Sequence, residues 1–159
     1  MRIFVDTNLL LDVLARREPF YAAAARVWTL AETGAYEALV SAISFNNVFY
    51  IVRKARDTAT ARRALVLLRD VFASVALDQR ILNQAIDSDI PDFEDAIQFY
   101  SALHARADYL LTRNVGDFPA GILPILAPDE FLAARGAGLD LSPSDHPGER
   151  LHAAAPHPG

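Results

Sequence analysis

The chain contains no cysteine and a single lysine, Lys54, among its 159 residues. Without cysteine it has neither a disulfide framework nor a thiolate metal site, which is compatible with the cytoplasm. No run approaches the roughly 18 consecutive apolar residues that a membrane-spanning helix needs. The opening "MRIFVDTN" does not have the layout of a secretory signal, so no membrane or export role is expected and a cytoplasmic location is. Basic residues are outnumbered, 15 to 20, giving a net charge of −5 and no general positive footprint for nucleic acid. Any polyanion must therefore be met by a local basic patch or by bound cations.

The composition that remains is that of an ordinary globular protein. Hydrophobic residues make up 52% and charged residues 22%, and the length suits one domain with a sizeable core. Along the chain, short β-rich runs alternate with stretches of helical periodicity. "RIFVD" (2–6), "EALVSAI" (37–43), "ASVALD" (73–78), "DYLLT" (108–112) and "ILPIL" (122–126) are the expected strands. Helices are expected over 9–17, 21–34, 45–55, 58–72, from about 79 to 87, 92–107 and 128–135. Strands of about five residues separated by helices form βαβ units, and so a three-layer α/β/α fold with a central parallel sheet of four to five strands. The domain is expected to span 1–135. The Gly/Pro/Ala-rich remainder, 136–159, reads as a disordered tail, in which His146, His152 and His157 are solvated.

Acidic residues collect where strands end. Asp6 closes the first strand, and Asp117 follows "DYLLT" in the loop "TRNVGDF". Asp92, Glu94 and Asp95 crowd the start of the helix that leads into that same strand. In a parallel α/β sheet, ligands gather outside the carboxyl ends of the strands, so Asp6, Asp95 and Asp117 can converge there. An acid at a helix N-terminus often only caps it, which suffices for Asp92 and serves less well for Asp6 and Asp117 beside apolar strands. Clustered carboxylates repel one another unless a proton or cation intervenes, and oxygen ligands suit Mg²⁺ or Mn²⁺.

"FVDTNLLLDVL", "DFEDAIQFYSAL" and "DYLLTRNVGDF", in that order, resemble the motifs of the PIN-domain ribonucleases, and most of all their VapC-like toxins. The resemblance runs from residue 1 to about 134. It implies a divalent-metal-dependent endoribonuclease, the toxin of a toxin–antitoxin pair, using Mg²⁺ or Mn²⁺. Asp6, Asp95 and Asp117 take the places of the family's metal-binding and catalytic acids, with Thr7, Asn8 and Asn114 as polar support. At the family's second acidic position, within "SAISFNNV", this chain has Asn47 instead of Glu, with Asp92 and Glu94 nearby as compensating acids. The family implies an RNA substrate, a homodimer and a small antitoxin laid across the cleft, where Phe45, Phe49 and Tyr50 can meet it.

Arg53, Lys54, Arg56, Arg62, Arg63 and Arg69 fall close together in sequence and offer a sequence-independent grip on RNA phosphates, as does Arg113 beside the acids. Two alternatives stand against that: a solvated arginine-rich face, and an ion pair between Arg113 and a neighbouring acid. Among rival functions, a phosphatase of the haloacid dehalogenase type requires a second Asp where Asn8 stands. A receiver-like signalling domain requires a lysine near the last strand. A PIN fold without catalysis, serving as a binding module, rests on Asn47 alone.

Overall fold

The computed structural model describes residues 1–136, so the expected tail lies outside the described residues apart from Gly136. Five strands and seven helices alternate: β1 (Arg2–Val5), α1 (Thr7–Leu14), α2 (Tyr21–Glu32), β2 (Glu37–Ser41), α3 (Ala42–Ala55), α4 (Thr58–Val71), β3 (Ala73–Val75), α5 (Gln79–Asp87), α6 (Phe93–His104), β4 (Tyr109–Leu111), β5 (Ile125–Leu126) and α7 (Pro128–Ala134). A 3-10 turn, Val115–Asp117, sits between β4 and β5. The sheet order is β3-β2-β1-β4-β5, and every pairing is parallel.

Burial on both faces follows from the period-two alternation of strand side chains. Ile3, Val5, Ala38, Val40 and Leu111 join the core built with α1 to α4 and α7, centred on Trp28. Phe4, Leu39 and Leu110 face the other way, onto Phe99 and Ala102 of α6. This is the expected three-layer arrangement.

The expected bounds shift where side chains cannot support them. β3 runs for three residues instead of six, because Asp78 leaves the sheet to cap α5, accepting a bond from the Ile81 amide at 2.9 Å. β5 keeps only Ile125 and Leu126, and Ile122, 67% exposed, has no partner layer to hold it in a strand. α1 begins two residues earlier than expected and α6 ends at His104, where Arg106 turns left-handed with φ 53°. Gly34, with φ 75°, ends α2 in the conformation glycine adopts at least cost.

Strand order positions the site. β1 lies in the middle, with β2 and β3 on one side and β4 and β5 on the other. The chain thus reverses its winding between β1 and β4, and at such a switch point the carboxyl ends of the strands open a crevice.

Candidate active site

Asp6 follows β1 at that crevice, its backbone N–H bonded to the Leu111 carbonyl of β4 at 3.0 Å. It is the residue before α1, and although the Thr7 and Asn8 amides lie close enough to act on its carboxylate, none makes a well-formed capping bond. Asp57, Asp78 and Asp92 hold the same position on other helices, and each accepts a backbone N–H. Capping therefore accounts for those three acids and leaves Asp6 unexplained. Thr112, the first residue after β4, donates its hydroxyl to Asp6 Oδ2 at 2.8 Å.

Asp6 and Asp95 line one open cavity of about 460 Å³, together with Asn8, Asp92, Glu94, Asn114 and Asp117. Its walls come from the ends of β1 and β4 and from the start of α6. Five of these lining residues are carboxylates and none is basic. Asp6, 2% exposed, has its pKa raised to about 6, chiefly by burial and secondarily by Glu94; the Thr112 hydroxyl and the first amides of α1 work against the shift. Asp95 is raised to about 7, first by burial and then by repulsion from Asp6, Asp92, Asp117 and Glu94. Negative charge has thus been gathered with no cation among the described residues to balance it.

That imbalance is what a hard divalent ion relieves, and an all-oxygen donor set suits Mg²⁺ or Mn²⁺. Among the described residues, no three His, Asp or Glu side chains are clustered tightly enough to grip an ion unaided. The set is open. It fits an ion that keeps several of its waters and binds through one or two carboxylates, as Mg²⁺ commonly does.

Several expected members take other roles. Thr7 lines no part of the acid cavity: its hydroxyl lies 2.8 Å from Ser44 Oγ and accepts from Gln98 Nε2 at 2.7 Å, a buried network joining α1, α3 and α6 beneath the acids. Asn47 was expected within the carboxylate set. It lines an adjoining cavity instead, one that shares Asn8 and Glu94 with the acidic cavity. Asp92 does cap α6, bonding the Asp95 amide at 3.0 Å, and still lines the cavity. Asn114 lines it too, while its amide N–H donates to Thr112 Oγ1 at 3.1 Å.

Arg113 does not line the cavity. Its guanidinium pairs with buried Asp12 at 3.2 Å and lies 4.3 Å from the Phe20 ring centroid. The structural alternative therefore accounts for it better than an RNA contact does. Arg53 is exposed on α3, as are Lys54, Arg56, Arg62, Arg63 and Arg69 on α3, α4 and the turn between them. Of the expected aromatic group, Phe45 and Phe49 pack against the core, whereas Tyr50 is 58% exposed. Sequence reasoning missed Thr112, Ser44 and Gln98. Thr112 was open to detection as the first letter of "TRN"; Ser44 and Gln98 carry no local signal.

The chain belongs to the PIN domain family, whose model matches residues 2–116, one residue short of Asp117. Among curated proteins, no sequence relative matches. Among solved structures, a chain of a toxin–antitoxin complex from Klebsiella pneumoniae is similar at 25% identity and TM-score 0.60, over 79% of this chain and 97% of that one. VapBC2 from Rickettsia felis, bound to a DNA fragment from its promoter, is similar at 15% identity and TM-score 0.61, over 80% and 98%. Mycobacterium tuberculosis VapC20, a toxin that cleaves the sarcin–ricin loop, is similar at 16% identity and TM-score 0.57, over 68% and 86%. The last two likenesses concern the fold alone.

Proposed function

We propose that the chain is a divalent-metal-dependent endoribonuclease and the toxin of a toxin–antitoxin pair. The observation that carries this reading is the convergence of Asp6, Asp95 and Asp117, from three separate elements, on one cavity at the switch point of the sheet. Family membership and the likeness to toxin–antitoxin proteins support it.

A bound Mg²⁺ or Mn²⁺ supplies charge neutralisation and Lewis-acid chemistry at the phosphate. Asp6 and Asp95 are the residues that hold it, with Asp117 at the rim. Asp6 is fixed for that task by the Thr112 hydroxyl, and Asp95 by its place in the first turn of α6. Asp117, the most exposed of the three, and Asp95 orient or deprotonate the attacking water. The exposed arginines of α3 and α4 hold the flanking phosphates. A small antitoxin covers the cleft, the protein acts as a homodimer, and the nuclease unit is residues 1–135.

A mixed substrate of single-stranded and structured RNA, incubated with the purified chain in Mg²⁺ or Mn²⁺ and in chelator, tests this. Cleavage is expected with metal only, and Asp95→Asn is expected to reduce it by about a hundredfold or more while the protein stays folded. A wild-type chain that is inert at millimolar metal and binds no ion overturns the reading in favour of a PIN-fold binding module, the alternative that Asn47 favours.

A further inference from the structure

Beside the acidic cavity lies a second one, of about 290 Å³, which shares Asn8 and Glu94 with it as lining. The chemistry changes across that wall. Beyond it lie Asn46, Asn47, Tyr50 and Ile51 of α3, with Leu11 of α1 at the base. Three amide side chains and one carboxylate replace the five acids next door.

Tyr50 is 58% exposed and Ile51 37%, so a flat aromatic face and an aliphatic edge stand in water at the mouth. Phe45 and Phe49 of the same helix pack into the core, so the helix already has its buried face without Tyr50. Arg53 lies 5.7 Å from the Tyr50 ring centroid, setting a cation beside that exposed aromatic side chain.

We propose that this cavity is a nucleobase subsite, in which an unpaired base next to the scissile phosphate stacks on Tyr50 while Asn46 and Asn47 hydrogen-bond its edge. The proposal rests on the ribonuclease reading of the acidic cavity. A base offers two apolar faces and a rim of donors and acceptors. An aromatic ring meets the faces, and an amide, carrying donor and acceptor together, meets the rim. Arg53 extends the stack and attracts the backbone. Because the two cavities share Asn8 and Glu94, they lie close enough for one strand to place a base in one and the adjoining phosphate in the other. In this arrangement the neutral amide at position 47 is a gain: a carboxylate there adds repulsion toward RNA and offers no donor.

The test uses labelled tetranucleotides differing in one base, bound in Mg²⁺ buffer by the full chain carrying Asp95→Asn, so that binding is read without cleavage. Adding Tyr50→Ala is expected to weaken binding about tenfold, the cost of one lost stack, and Tyr50→Phe to retain it. Asn47→Ala is expected to shrink the affinity difference between tetranucleotides. In otherwise wild-type protein, Tyr50→Ala is expected to flatten the base preference of cleavage sites mapped on a randomised RNA. Because Tyr50 is exposed, its truncation leaves the fold intact, which a melting curve verifies. If wild type cleaves RNA but these variants bind and cleave with an unchanged pattern, the subsite is wrong, the ribonuclease reading stands, and the surface is left to a protein partner. If wild type cleaves nothing while Tyr50-dependent binding persists, the subsite stands and the ribonuclease reading falls. No measurable tetranucleotide binding overturns the subsite as well.

Discussion

Arg113 sits in the middle of "TRN", beside five carboxylates, and its guanidinium turns away from all of them toward Asp12. Asp12 is 2% exposed, and burial raises its pKa while Arg113 and then Arg17 lower it. Arg113 is a quarter exposed and Arg17 still acts on Asp12, so losing the Arg113 guanidinium costs less than breaking a fully buried pair, about 1–3 kcal/mol. Arg113→Ala is therefore expected to lower the melting temperature by several degrees in a thermal scan. An unchanged melting curve with weakened RNA binding would return Arg113 to the phosphate contacts. An ion pair for Arg113 was one of the two readings open from the sequence; that its partner is Asp12 was not legible, because the two lie 101 positions apart and Asp12 reads only as a polar interruption of α1. What a local reading of Arg113 establishes is its place next to the acids, not its direction.

At the scale of one helix, α6 carries both structure and chemistry in its first turn. Asp92 bonds the Asp95 amide, fixing the residue whose carboxylate is most strongly repelled. The cap needs only an oxygen, whereas the proposed cation site needs the charge. Asp92→Asn is expected to keep the melting temperature and reduce metal affinity, and Asp92→Ala is expected in addition to cost about 1 kcal/mol of stability. Equal metal affinity in Asp92→Asn and wild type, measured by calorimetry, would leave Asp92 a cap and nothing more. The existence and type of every strand and α-helix in the described chain were readable from periodicity, but the 3-10 turn at Val115–Asp117 and the lengths of β3 and β5 were not. Both are edge strands: β3 stops where Asp78 turns out to cap α5, and β5 loses the exposed Ile122, neither of which a local apolar pattern records. The Thr7–Ser44–Gln98 network was hidden because its members lie on three separate helices, Thr7 and Gln98 being 91 positions apart.

For the whole molecule, sheet order decides where function sits. A parallel sheet was legible from alternation and short apolar strands, and so was the placing of acids at strand ends. That β1 and β4 are neighbours was not, and this adjacency brings Asp6 within reach of Thr112 and into one cavity with Asp117. The consequence for stability has a definite sign. Asp6 and Asp95 have folded pKa values of about 6 and about 7, above the ordinary 3.8, so between roughly pH 4 and 7 the native protein binds more protons than the unfolded chain. Stability should therefore fall as pH rises through that window; for buried Asp6 alone the cost at neutral pH is about 3 kcal/mol. A cation bound by these acids stabilises the native state most where they are ionised. The decisive measurement is the melting temperature between pH 5 and 8, in chelator and in millimolar Mg²⁺, for wild type and Asp95→Asn. The account requires a downward slope in chelator for wild type, its removal by Mg²⁺, and a shallower slope with less response to Mg²⁺ in Asp95→Asn. A wild-type curve that is flat in chelator and unmoved by Mg²⁺ would contradict the claim that these acids form one cation site.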